Sequence, residues 1–98
     1  MRTLEVAEIS IDENGRLLIR PRVADDSFQY VYRAAAEVRW DPAQACFTCP
    51  PPREWSYVRW FEHARGAVQA ELGWHLEVTR RTRWTNVADD LRDEIYSA

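Results

Sequence analysis

"LEVAEISIDENGRLLIRP", residues 4–21, decides how this chain folds. Apolar and polar residues alternate on both sides of Asn14-Gly15, the period of a strand with one buried face. Asn-Gly accepts the positive φ angles of a type I′ turn, so the stretch predicts a hairpin with strands over roughly 3–12 and 16–22. Pro21 has no N–H to donate, which ends the second strand there or sets it along a sheet edge.

The next segment, "SFQYVYRAAAEVRWD" (27–41), pulls two ways. Tyr30, Val31 and Tyr32 favour a strand, whereas "RAAAE" favours a helix, for which Asp26 or Ser27 would be the cap over about 27–35. The reading preferred here is extended. Ala36, Val38 and Trp40 then alternate with Glu37 and Arg39, Asp41-Pro42 starts a turn, and "ACFTC" (45–49) returns as a strand. Pro50, Pro51 and Pro52 stop it, because prolines remove ladder donors. From Arg53 to Leu72 the period changes: Tyr57, Val58, Phe61, Ala64, Val68 and Leu72 recur at steps of three and four, the stripe of an amphipathic helix, with Gly73 fitted to cap its end. "WHLEVTRRTRW" (74–84) alternates again and groups Leu76, Val78, Thr82 and Trp84 on one face. Thr85 or Asn86 caps a last helix that buries Val87, Ala88, Leu91 and Ile95.

These elements predict an α+β fold: a mostly antiparallel sheet of about five strands, with one long amphipathic helix and a short C-terminal helix packed on one face. Ninety-eight residues suit one domain, 1–98, and no linker, repeat or low-complexity tract divides them. No segment approaches the roughly 18 apolar residues that cross a bilayer, so the expectation is a soluble chain with no membrane partner. "MRTLEVAEIS" alternates too early to contain the apolar run of a signal peptide, which points to the cytoplasm. The net charge of −3 argues against nucleic acid as a partner. One basic run, "TRRTRW" (79–84), precedes the acidic "DDLRDE" (89–94), and the two could partly neutralise each other. Lysine is absent from the 13 basic residues, and no function follows from that.

Cys46 and Cys49 have the C-x-x-C spacing of a metal or redox site. On a strand, however, residues three apart lie about 10 Å from each other on opposite faces, beyond disulfide reach. The prolines separate Cys49 from the helix whose N-terminus would lower a thiol pKa, and His63 and His75 lack the spacing of a zinc finger. Half-buried structural cysteines are the simpler reading, with no metal and no cofactor. His63 beside Glu62 or Glu71 gives poor acid/base geometry on a helix, since neighbours point about 100° apart. The glycines stand singly at 15, 66 and 73, so no phosphate loop exists, and no nucleophile motif invites catalysis.

Tryptophan is the informative excess, five residues at 40, 55, 60, 74 and 84. Trp40 and Trp84 fall on apolar strand faces, where core packing is the default. Trp60 lies off the main stripe of the long helix with Ala64 and Ala67 beside it and Trp55 and Glu71 near the same flank. That helix is then apolar on two adjoining faces, one for the sheet and one for another partner. Packing both faces inward is the bland alternative.

Taken together, "IDENGRLLIRP", "YVYRAAAEVRWD", "PPREWSYVRWFEHARGAVQAELG" and "TRWTNVADDL" resemble the small bacterial proteins carried as mobile integron gene cassettes, the Halifax cassette type. That resemblance implies a small α+β fold that often self-associates and whose function is generally unassigned. "GRLLIRP" and the "EW…WF" helix also look like those of immunity proteins, which bind and block a toxin. Both imply binding rather than turnover, and neither transfers a site residue. The leading expectation is a non-enzymatic binding module that forms a homodimer through Trp55, Trp60, His63, Ala67 and Glu71. One alternative is an immunity-type inhibitor that presents Glu54, Glu62, Asp89, Asp90 and Asp93 to a basic toxin. The other is a small-molecule-binding protein or enzyme with a pocket lined by Tyr30, Tyr32, Trp40, Trp55 and Trp84.

Overall fold

The computed structural model describes residues 2–98. The opening hairpin is present as β1 (Arg2–Ile11) and β2 (Leu17–Pro21), paired antiparallel. Its turn differs from the expected type I′. The Gly15 amide donates to Asp12 O, and only Gly15 (φ 82°) is left-handed, so a three-residue Glu13-Asn14-Gly15 loop closes the hairpin. The Asp12 carboxylate fixes this loop by accepting from the Asn14 and Arg16 amides, and the Tyr57 hydroxyl donates to Gly15 O at 2.8 Å.

Residues 26–33 are a 3₁₀ helix, not the extended segment preferred from sequence. Asp25 caps it by accepting from the Ser27 amide and hydroxyl, and the three-residue step buries Phe28 and Val31 together. β3 (Arg39–Asp41) and β4 (Cys46–Cys49) follow, joined by a turn in which Asp41 accepts from the Ala43 and Gln44 amides.

The long helix begins later than Arg53. α1 runs over Tyr57–Ala67, capped by the Ser56 hydroxyl on the Arg59 amide, and continues through one wider π turn, Val68–Leu72, to Gly73 at φ 74°. The single strand expected over 74–84 is split into β5 (Trp74–Glu77) and β6 (Arg83–Thr85). Between them the Thr82 hydroxyl donates to Val6 O at 2.7 Å and accepts from the Thr79 amide. This local bonding competes with a continuous ladder. α2 (Asp89–Ser97) has no side-chain cap, because the cap position falls on Ala88, two residues beyond Asn86, which turns left-handed and donates its side-chain amide to Ile11 O.

The sheet has six strands in the order β3-β4-β2-β1-β5, with β6 also on β1. Three pairings are antiparallel, and β1 meets β5 and β6 in parallel. A bulge between Val6 and Glu8 lies opposite the 78–82 excursion and puts Glu5 and Glu8 on the same, open face. There two matching units form. Glu5 receives Arg22 at 3.0 Å, Arg81 at 3.8 Å and the Thr79 hydroxyl, while Glu8 receives Arg20, Arg83 at 3.6 Å and the Thr85 hydroxyl. Arg81 and Arg83 of the basic run therefore pair with β1, while Asp89 and Asp93 of residues 89–94 pair with Arg92.

The other face carries the core, in which Leu4, Val6, Ile9, Leu17, Ile19, Phe47 and Leu76 meet Phe28, Val31, Phe61, Ala64, Val68 and Ile95. At about 25 cal/mol per Å² of apolar surface removed from water, this layer dominates the stability of so small a chain. No helix among the described residues is long and apolar enough to cross a membrane.

Candidate binding groove

Where the prolines end β4 and Ser56 opens α1, the chain turns sharply and leaves Trp55 one residue before the cap. Trp60 is the fourth residue of the helix. Apolar residues at these two positions pack together as a hydrophobic staple that fixes the entry angle of the chain. The rings are 4.8 Å apart between centres, and His63, one turn on, meets Trp55 at 5.0 Å and Trp60 at 5.7 Å. The Arg59 guanidinium lies 4.6 Å from the centre of the Trp55 ring.

A half-open groove of 570 Å³ lies against this cluster, lined by Glu37, Pro50, Pro51, Arg53, Glu54, Trp55 and Trp60. Its size falls in the range of small-ligand sites, roughly 300–1,000 Å³. Neither Glu37 nor Glu54 takes part in an ion pair among the described residues. Glu37 arrives from the turn before β3 and Glu54 from the turn before α1, so two distant segments bring carboxylates to one concavity.

The residues expected at an interface divide into two groups. Trp55 is half-buried, and His63 and Glu71 are exposed, but Trp60 (9 % exposed) and Ala67 (5 %) are buried within their own chain. On the second apolar flank of the helix Trp60 is covered by Trp55, while the 3₁₀ helix packs on the 68–72 turn and α2 on α1.

The predicted aromatic pocket does not form as a unit. Trp40 sits on β3 and Trp84 on β6, at opposite edges of the sheet. Trp40 packs edge-on against Phe28 and Phe47 and borders a separate 520 Å³ groove with Asp25, Asp26 and Gln29. Tyr30 and Tyr32 are exposed beside the Arg33 and Arg39 guanidiniums, and Trp84 packs on the core. Of the five residues only Trp55 reaches the groove at the head of α1.

Cys46 and Cys49 are free and fully buried rather than half-buried. Burial pushes the Cys49 thiol up to about 12, and burial, with nearby Asp41, pushes Cys46 up to about 11, which disfavours the thiolate at both. The Cys49 thiol points at Trp60 O, 4.0 Å away.

Sequence reasoning missed Glu37, Pro50, Pro51 and Arg53 as companions of Trp55. The prolines read only as strand stops, and nothing local marks Glu37 as a neighbour of the helix. The staple was missed as well, because the period reads as a helix from Arg53, which puts Trp55 inside it; the signal that would have found it is Trp-Ser followed by Trp four positions after the cap.

The fold defines a small α+β protein with an open groove at the head of α1 and buried thiols. Residues 4–82 match the family model of the integron cassette protein Hfx_Cass5, and the chain belongs to that family. A solved structure from the mobile metagenome of the North West Arm sewage outfall, the integron cassette protein Hfx_Cass5, is 38% identical over 99% of this chain and 95% of its own, with a TM-score of 0.48. The search of curated proteins found no match.

Proposed function

We propose that this cassette protein is a non-enzymatic binding module and that its recognition site is the groove at the head of α1. The observation that carries the reading is the half-exposed Trp55 ring, held by its staple to Trp60 as one wall of a 570 Å³ groove. An aromatic wall with a few converging polar groups is the usual composition of a ligand site. The buried, unreactive thiols favour binding over turnover, and two unpaired cysteines suit a reducing cytoplasm. The groove is preferred to homodimerisation through the helix flank because Trp60 and Ala67 are already buried. A thermal-shift screen of chemically diverse small organic probes tests the reading. Probes that stabilise the wild type should lose their effect in Trp55→Ala, and stabilisation that survives the substitution would contradict it.

A further inference from the structure

We infer that the groove takes an organic cation, an ammonium or guanidinium head on a short apolar body; this rests on the groove being the binding site. Three features of the lining point the same way.

The first is charge. Among the lining residues Glu37 and Glu54 contribute two carboxylates against the guanidinium of Arg53, Arg59 being held at the Trp55 ring outside that lining, and neither carboxylate takes part in an ion pair among the described residues. A cation entering beside them meets acceptors that no ion pair among the described residues has already claimed.

The second is the supply of hydrogen-bond donors. An anion is recognised by N–H groups, and prolines have none. The wall built by Pro50 and Pro51 has no N–H to give and offers apolar ring surface, which suits the body of the ligand and leaves Arg53 as the one charged donor in the lining.

The third is the pair of indoles. A cation is attracted to the face of an aromatic ring within about 6 Å, tryptophan most strongly. Trp55 already draws the Arg59 guanidinium to 4.6 Å. A ligand cation between Trp55, Trp60 and the carboxylates would use the same attraction from within the groove, with its apolar body on the prolines.

The test varies the head and keeps the body. n-Butylammonium and butylguanidinium are compared with butanol and butyrate, following the indole N–H signals of Trp55 and Trp60 by NMR in the wild type and in the doubly substituted Glu37→Gln/Glu54→Gln protein. Both cations should shift these two signals at lower concentration than butanol or butyrate. Each lost carboxylate should weaken cation binding by roughly two- to fivefold, the range for exposed charge pairs, and leave butanol unchanged. Equal binding by butyrate or butanol, or cation binding indifferent to both substitutions, overturns the inference while the groove remains a binding site. If none of the four probes moves either indole, the cation inference falls; the binding-site reading falls separately only if the probe screen fails at Trp55.

Discussion

The ring of Trp55 covers that of Trp60 at 4.8 Å, one residue outside the helix cap holding another four positions inside it. This pairing closes the second apolar flank of α1 within the chain and makes the outer indole a wall of the groove. The two residues therefore differ in what they contribute. Trp60→Ala should cost about 3–5 kcal/mol as a core truncation. Trp55→Ala should cost about 1–2 kcal/mol, since its ring is only half-buried. Urea denaturation of both variants checks the order, and equal losses would contradict it.

Thr82→Val should cost about 1–3 kcal/mol, because it leaves the buried Val6 carbonyl and the Thr79 amide without their partner. The same substitution should loosen the 78–82 excursion, seen as faster hydrogen exchange at the Thr79 amide. Unchanged exchange there would show that the turn holds itself without the hydroxyl.

Glu5 gives the open face a pH dependence. The Thr79 hydroxyl, with Arg22 and Arg81, holds its carboxyl below the ordinary 4.5 despite some desolvation. A lowered folded-state pKa means that the stabilisation is complete above the unfolded value and is lost as pH falls through the folded one. Wild type and Glu5→Gln should therefore differ most in stability above pH 4.5 and converge in acid. Denaturation curves across that range test it, and a gap that widens on acidification would contradict the assignment.

Iodoacetamide should leave native Cys46 and Cys49 unmodified, because burial raises both thiols to about 11 and about 12 and shields them from the reagent. Mass spectrometry should show both labelled once the chain is unfolded in denaturant. Rapid labelling of the folded protein would mean that the β4 region opens.

The hairpin and the stripe of α1 were legible in the sequence because both are local periodicities, period two around Gly15 and three-to-four from Tyr57 to Leu72. The 3₁₀ helix was hidden by the strand preference of Tyr30, Val31 and Tyr32, although Phe28 and Val31 carry its three-residue spacing. The break after Glu77 depends on the hydroxyls of Thr79 and Thr82 reaching β1, more than seventy residues away in the chain. The parallel pairing of β1 with β5 and β6 is equally non-local. The sequence groups Trp55 and Trp60 on one helix flank, whereas the structure sets them on either side of the Ser56 cap, and Glu37 joins them only through the fold.

Five-residue labelling with 5-fluorotryptophan, each ¹⁹F signal assigned by replacement, gives the most direct measurement of the central claim that the staple forms the wall of a binding site. On titration with n-butylammonium, the Trp55 and Trp60 signals should move together to saturation while those of Trp40, Trp74 and Trp84 stay in place. A saturable shift at Trp40 or Trp84 with Trp55 unmoved would contradict the account.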